Sequence, residues 1–384
     1  MKTIISFKSC IACQIIELNN WFLCIVRRFL WPLGRTNKIQ RICIHRVGTI
    51  GDMLFILTVF YSIRKKYPNA HITVLTSTGA PSGIGLSKFS SVLPWIDCIY
   101  DYSVEGLNSI SGSVSMVKRL RRTNFDMWIA LPQSSTNIAR ELRDMLLARI
   151  SGAKWAFGFN IRTTSIFKHE QALARTFESE VEFLLRIVLK AGIGIEHDDG
   201  SCLQIPVNMN LKSKLHLLLQ TGMPILAIAP GAKRPTNRWA VERFVEIANR
   251  WSNKLGYVLV LGGASDEIIG KQIADVNSSQ ILNLCGQTDV IETMGLLKQC
   301  TVALTNDSGP MHMAVAVNLP VVVAFSARDF PGLWHPTSSL CTVIRKKVDC
   351  SPCLAENCFN GNLCLDEISV EEVWEQLVKY LDKI

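Results

Sequence analysis

With 384 residues, 48% of them hydrophobic and 19% charged, the chain has the make-up of a globular protein with room for two separately buried cores and a greasy surface or attached greasy segment. A net charge of +9 favours anionic ligands: nucleotides, phosphorylated lipid headgroups or nucleic acid. Nucleic acid is set aside, because the basic residues are scattered apart from Lys118–Arg122 and neither a zinc-finger spacing nor a ribonucleoprotein-type aromatic motif occurs.

Residues 1–40 are apolar and aromatic over Ile4–Ile16 and Trp21–Leu33. Lys8, Glu17, Arg27, Arg28 and Arg35 interrupt them, so no run reaches the ~18–20 apolar residues of a membrane span. Trp21–Trp31 reads as a short basic, aromatic helix, and two readings stay open for it equally, lying on a membrane surface or packing on the protein's own core, with a processed signal third because no small-residue cleavage site follows. No secretory cleavage signal precedes the thirteen cysteines, so free thiols in a reducing cytoplasm are expected.

The first strand is expected at Arg41-Ile-Cys-Ile, running through His45-Arg46 into the turn Gly48-Thr-Ile-Gly51-Asp52 and then a helix over Met53–Lys66. Gly48 and Gly51 let the backbone turn tightly and leave room for a substrate beside it. Asp52 can cap the new helix or take a proton from a substrate hydroxyl; taken alone it reads first as a cap. Strands follow at Ala70–Thr76, Asp97–Tyr100, Phe125–Ala130 and Trp155–Phe159, with helices over Val114–Arg122, Asn137–Ile150 and Glu178–Ala191. This alternation implies a mostly parallel sheet covered by helices on both faces.

Gly192, Gly194, Asp198, Asp199, Gly200 and Pro206 interrupt the rhythm, and one helix is expected around Leu211–Gln220. The domains are placed at 1–40 (an amphipathic extension), 41–205, 206–368 and a closing helix in 369–384. The second α/β domain has strands at Ile225–Ala229, Tyr257–Leu261, Ile281–Leu284, Val302–Thr305 and, last, Val321–Phe325. Helices are expected at Val241–Trp251, Val290–Gln299, after Pro310, and at Val370–Leu381, where Ser369 and Glu372 form a capping box.

Three loops at strand ends carry chemistry. Lys233, Arg234 and Arg238 precede a helix and can grip a diphosphate together with its N-terminus, or form a solvated basic turn. In Asn306-Asp307-Ser308-Gly309-Pro310, the amides of Ser308 and Gly309 can face a ligand and Asp307 can accept hydrogen bonds from sugar hydroxyls, with His312 one turn further on. Glu267, after Gly262-Gly263, stands where a carboxylate can take ribose hydroxyls, but no complete G-x-G-x-x-G accompanies it, which weakens a nicotinamide cofactor. Cys350, Cys353, Cys358 and Cys364 leave zinc, a disulfide or free thiols open, the second pair lying outside the usual zinc spacing.

Taken together, Arg46-Val-Gly48-Thr-Ile-Gly51-Asp52, the Pro-Gly-Ala…Arg238-Trp239 loop, Gly-Gly…Glu267, Asn306-Asp307-Ser308-Gly309-Pro-Met-His312 and the cysteine loop resemble the ADP-heptose:lipopolysaccharide heptosyltransferases, glycosyltransferase family 9. The resemblance runs over about residues 41–380 with its motifs in order. It implies the GT-B fold: two Rossmann-like doubly wound domains facing across a cleft, acceptor on the first and nucleotide-sugar on the second. It also implies inverting transfer from ADP-heptose as co-substrate, with no cofactor and no essential metal, onto a glycolipid or glycan acceptor; residues 1–35 are then expected to hold the enzyme at the cytoplasmic face of the inner membrane, where a lipid-linked acceptor is presented. Asp52 matches the family's general base, Asp307 with Ser308, Gly309 and His312 its donor loop, and Glu267 its ribose acid. Asn237 departs from the lysine common two residues before the tryptophan, so Lys233, Arg234 or Arg238 is left to supply the cation. The alternatives are another donor or acceptor on the same fold, a nicotinamide-dependent oxidoreductase, or a non-catalytic nucleotide-binding protein.

Overall fold

A computed structural model describes residues 2–34, 38–77, 85–103, 109–162, 178–195, 220–336 and 338–381. The chain divides into two units, Met1–His197 and Asp198–Ile384. The junction expected at residues 205 and 206, and residues 211–219 of the expected helix, lie outside the described residues.

The first unit begins with a single helix, α1 (Lys2–Leu30), longer than the expected Trp21–Trp31 segment. One of its faces packs on the unit: Ile16, Leu23 and Trp31 are buried, Asn20 exchanges hydrogen bonds with the backbone of Ile161 (3.0 and 2.8 Å), and Trp31 Nε1 donates to Ala153 O (2.8 Å). The packing reading therefore holds for that face. The opposite face is exposed.

Five strands follow: β1 (Arg41–Val47), β2 (His71–Ser77), β3 (Cys98–Asp101), β4 (Met127–Ala130) and β5 (Trp155–Phe157). All pair in parallel, in the order β3-β2-β1-β4-β5. As in other sheets covered on both faces, the central strands are nearly continuous apolar runs, Ile42, Ile44, Ile72 and Val74 being fully buried. The connecting helices are α2 (Ile50–Leu54), α3 (Leu57–Lys66), α4 (Ile110–Thr123), α5 (Ile138–Ile150) and α6 (Glu180–Lys190). The helix expected over Met53–Lys66 is thus two helices, parted at Phe55-Ile56. Ser109, Asn137 and Ser179 cap α4, α5 and α6 through their side chains, satisfying first-turn amides.

The second unit has six parallel strands, β6 (Ile225–Ala229), β7 (Tyr257–Val260), β8 (Ile281–Asn283), β9 (Val302–Asn306), β10 (Val321–Ala324) and β11 (Cys341–Ile344), ordered β11-β10-β9-β6-β7-β8. The last of these corrects the expectation that the sheet ends at Val321–Phe325: Cys341–Ile344 pairs with β10 as a half-buried edge. Its helices are α7 (Val241–Lys254), α8 (Glu267–Ala274), α9 (Val290–Gln299), α10 (Gly309–Ala316), α11 (Leu363–Asp366) and α12 (Val370–Val378). Phe244, Ile247 and Trp251 of α7 and Val373 and Leu377 of α12 fill the core over Leu226, Val258 and Leu304. The Ser369–Glu372 capping box forms as expected.

In each unit the chain builds the sheet outward from its first strand and then crosses back to the other side. That reversal falls between β1 and β4 in the first unit and between β6 and β9 in the second. Such reversals open a crevice at the carboxyl ends of the strands, where ligands bind. Asp52 follows β1, the Pro230–Trp239 loop follows β6, and Asp307 follows β9.

Candidate active site

In the first unit, β1 delivers the chain into the glycine turn. The end of the strand is fixed by the Gly48 amide, which donates to Ser77 O (2.9 Å), and by Gln133 Nε2, which donates to Val47 O (2.9 Å). Asp52 is half-buried at the third position of α2. Its Oδ2 accepts from the Thr49 amide (2.6 Å) and from Thr49 Oγ1 (3.0 Å), so the carboxylate does cap the helix. Only one oxygen is used in this way. A Cβ at Gly48 would stand 2.8 Å from Asp52 Cβ and 3.0 Å from Oδ2, so glycine is what lets the carboxylate close over the turn.

Arg46 is fully buried beneath this turn. It donates to Leu131 O (3.3 Å), Pro132 O (3.1 Å) and Glu180 Oε1 (3.0 Å), and Glu180 also pairs with Arg162. The structure thus makes Arg46 a tie between β1, the loop after β4 and α6, with no exposed surface to offer an acceptor. Its partner across 134 residues is invisible to any local motif.

His45, also buried, lies with Nε2 3.4 Å from the Tyr102 hydroxyl and Nδ1 3.8 Å from Asp144 Oδ2. Burial lowers its pKa against the raising influence of Asp144. On α5, burial pushes the Glu141 carboxyl up to about 7, although Thr136 Oγ1 and the Asn160 amide donate to it. Above its unfolded value the unfolded chain releases this proton while the folded chain keeps it, so stability falls as pH rises from about 4.5 to about 7. Glu141→Gln, which can keep both bonds, should remove a fall of roughly 3 kcal/mol, read from denaturation midpoints across that range.

A cavity of about 270 Å³ opens beside the carboxyl end of β3, lined by Tyr100, Asp101, Tyr102 and, from α4, Ser115 and Arg119. These groups combine aromatic faces with hydrogen-bonding edges, a lining suited to a sugar.

In the second unit the expected loops converge through one buried asparagine. Asn237 Nδ2 donates to Asp307 O and Asp307 Oδ2 (both 3.1 Å), while its Oδ1 accepts from Ser326 Oγ (3.1 Å). The adjacent Asn306 accepts from the Trp239 amide (2.9 Å) and donates to Pro230 O (2.6 Å). The position that departs from the family pattern therefore holds the Asp307 carboxylate. Ser308 Oγ bonds Asn306 O (3.3 Å) and does not cap α10; Pro310 has no N–H and the Met311 amide donates to Ser308 O (3.1 Å), so it is the Gly309 amide that the start of the helix can offer to an acceptor group. His312 is buried in the first turn of α10.

The three candidate cations differ. Lys233 is exposed; Arg234 is paired with Glu356 at 3.1 Å; Arg238 Nε donates to Ala232 O (2.8 Å). Glu267 is exposed at the start of α8. Its neighbour Asp266, which sequence reasoning passes over, packs against the loop after β6: a Cβ at Gly231 would lie 2.4 Å from Asp266 Oδ2.

Cys350, Cys353, Cys358 and Cys364 line a single cavity of about 10 Å³. All four are free, and among the described residues no three His, Cys, Asp or Glu side chains stand as a metal's ligand set. Two of the sulfurs act instead as acceptors: the amides of Asn360 and Asn362 donate to Cys358 (3.4 and 3.2 Å) and that of Ala327 to Cys364 (3.4 Å). The loop is tied down by Arg328, which donates to Ala355 O (2.7 Å) and Leu354 O (3.1 Å), and by Arg345, which donates to Ser351 Oγ (2.9 Å).

Comparison with known proteins agrees with this layout. The model of the family described as glycosyltransferase family 9 (heptosyltransferase) matches residues 113–364. Lipopolysaccharide heptosyltransferase 2 of Escherichia coli (strain K12) is 33% identical over 318 residues, covering 77% of this chain and 85% of that protein. Among solved structures, a glycosyltransferase family 9 protein from Veillonella parvula superposes with a TM-score of 0.71 at 18% identity, covering 91% of this chain and 100% of that one. The E. coli ADP-heptose lipopolysaccharide heptosyltransferase II follows at 0.63 and 21%, covering 90% and 99%. The chain belongs to glycosyltransferase family 9: it is a glycosyltransferase whose two parallel α/β units are those of the GT-B fold.

Proposed function

We propose that this enzyme transfers a heptose from ADP-heptose, with inversion, to a hydroxyl of a lipopolysaccharide-core or related glycan. Asp52 is the general base: it takes the proton of the acceptor hydroxyl as that oxygen attacks the anomeric carbon and ADP departs. The observation that carries this is the position of Asp52 at the carboxyl end of β1, with one oxygen engaged by Thr49 and the other without a partner among the described residues. The first unit takes the acceptor, the Tyr100–Arg119 cavity offering a place for one of its sugars. The second unit takes the donor. Asp307, held by Asn237, accepts from sugar hydroxyls, and Glu267 accepts from the ribose. Ser308 and Gly309 at the start of α10, the buried His312, and Lys233, Arg234 and Arg238 face the diphosphate and offset the charge that develops on it. The names of the relatives support the heptose and the lipopolysaccharide acceptor. Such an acceptor places the enzyme at the cytoplasmic face of the inner membrane.

The test is release of nucleoside diphosphate from a panel of nucleotide-sugars, with and without chelator. Release from ADP-heptose that survives chelation is the expected result. Preference for another nucleotide-sugar would overturn the donor assignment. Binding without turnover, even with a core-glycan acceptor supplied, would leave a nucleotide-binding protein.

A further inference from the structure

Helix α1 is apolar on two opposite faces, and only one of them is used. At 100° per residue, Ile15, Leu18, Trp21, Phe22, Ile25 and Phe29 share about a third of the circumference. All six are exposed, Trp21 to 63% and Phe29 to 83%. Ile16, Asn20, Leu23 and Arg27, on the other side, are the residues that hold the helix to the first unit. Leu146 and Ile150, on α5 beside it, are exposed as well. A run of aromatic and branched side chains facing outward on a helix already anchored by its back marks a surface for something else.

Charge decides what that is. The helix contains Lys2, Lys8, Arg27 and Arg28 against the single carboxylate Glu17, and Arg28 is exposed at the margin of the apolar arc. A second copy would bring the same net charge of +9. An anionic bilayer brings the opposite charge, and its headgroup region accepts tryptophan, phenylalanine and arginine together. No helix among the described residues is long and apolar enough to cross a membrane, so α1 would lie in the interface.

We propose that the outer face of α1 docks the enzyme on an anionic lipid surface, with the first unit fixed to that surface through the back of the same helix. The proposal rests on the lipid-linked acceptor of the preceding section for its purpose, but its chemistry needs no acceptor. The experiment therefore uses the full chain and acceptor-free vesicles of mixed phosphatidylglycerol and phosphatidylcholine, beside vesicles of phosphatidylcholine alone. The chain should sediment with the anionic vesicles and much less with the neutral ones. Combined Trp21→Ser, Phe22→Ser and Phe29→Ser should weaken that binding by about tenfold or more. ADP binding, followed by thermal shift, should stay as in the parent and report that the variant is folded. In the parent, brominated lipid should quench tryptophan emission. Trp21→Phe should still bind and lose much of that quenching, a readout independent of the triple variant. Unchanged sedimentation of a folded triple variant would overturn the proposal. So would a parent that forms a dimer in solution, ignores vesicles, and becomes monomeric on the triple substitution, which would give the face to a second copy. Because donor cleavage is read in solution, a failure here and a failure of the transferase reading are separate results.

Discussion

Asp52→Asn should lower sugar transfer by about 10²–10⁴-fold while ADP binding and folding persist. The asparagine is chosen because the proposed base also caps a helix. Its Oδ2 accepts from the amide and hydroxyl of Thr49, and an asparagine oxygen can accept from both, so the start of α2 keeps its cap. What is lost is basicity alone. If Asp52 were only a cap, the amide would transfer sugar at nearly the parent rate, and steady-state kinetics would show it. Asp52→Ala discriminates less well, since it removes cap and base together and costs about 0.5–2 kcal/mol of stability from the cap.

The elements that name the fold were legible because they obey short-range rules. Apolar runs such as Ile225–Ala229, bounded by Pro224 and Pro230, read as buried strands, and Ser369 with Glu372 reads as a helix start, whatever the rest of the chain does. Cys341–Ile344 was not legible, since a four-residue, half-buried edge strand has neither length nor alternation to separate it from a loop. Neither was the fate of α1: a helix apolar on two faces gives the same pattern whether it packs, docks, or does both. At the site, the loops could be located by their glycines and carboxylates, but not their wiring. Asn237 looks like the loss of a cation until its amide is seen on the Asp307 carboxylate, 70 residues away. Asp266 and Glu267 are equivalent in sequence, and only the close approach of Gly231 and Gly262 separates the packed carboxylate from the exposed one.

The largest structural effect should come from Glu180, which the sequence presents as an ordinary acidic residue in the first turn of a helix. It is fully buried between the guanidinium groups of Arg46 and Arg162. Glu180→Ala would leave two buried cations without their shared counter-ion, and should cost about 3–5 kcal/mol. Hydrogen exchange is the appropriate measurement for a chain of two units: amides of β1, β4 and α6 should lose protection while those of β6–β11 keep theirs. An equally protected first unit would mean that water reaches the pair and the charges are not truly desolvated. Replacing all three residues with apolar ones of similar size, Arg46→Met, Glu180→Leu and Arg162→Leu, should restore most of the stability, since desolvation offsets much of what the ion pairs contribute. If that variant folds but transfers sugar poorly, stability was not the reason for the triad. Arg46 also holds Leu131 O and Pro132 O two residues before the Gly48 turn, and apolar side chains cannot replace those bonds. Its charges would then serve to fix the turn that presents Asp52, and the loss should appear in kcat with ADP affinity unchanged.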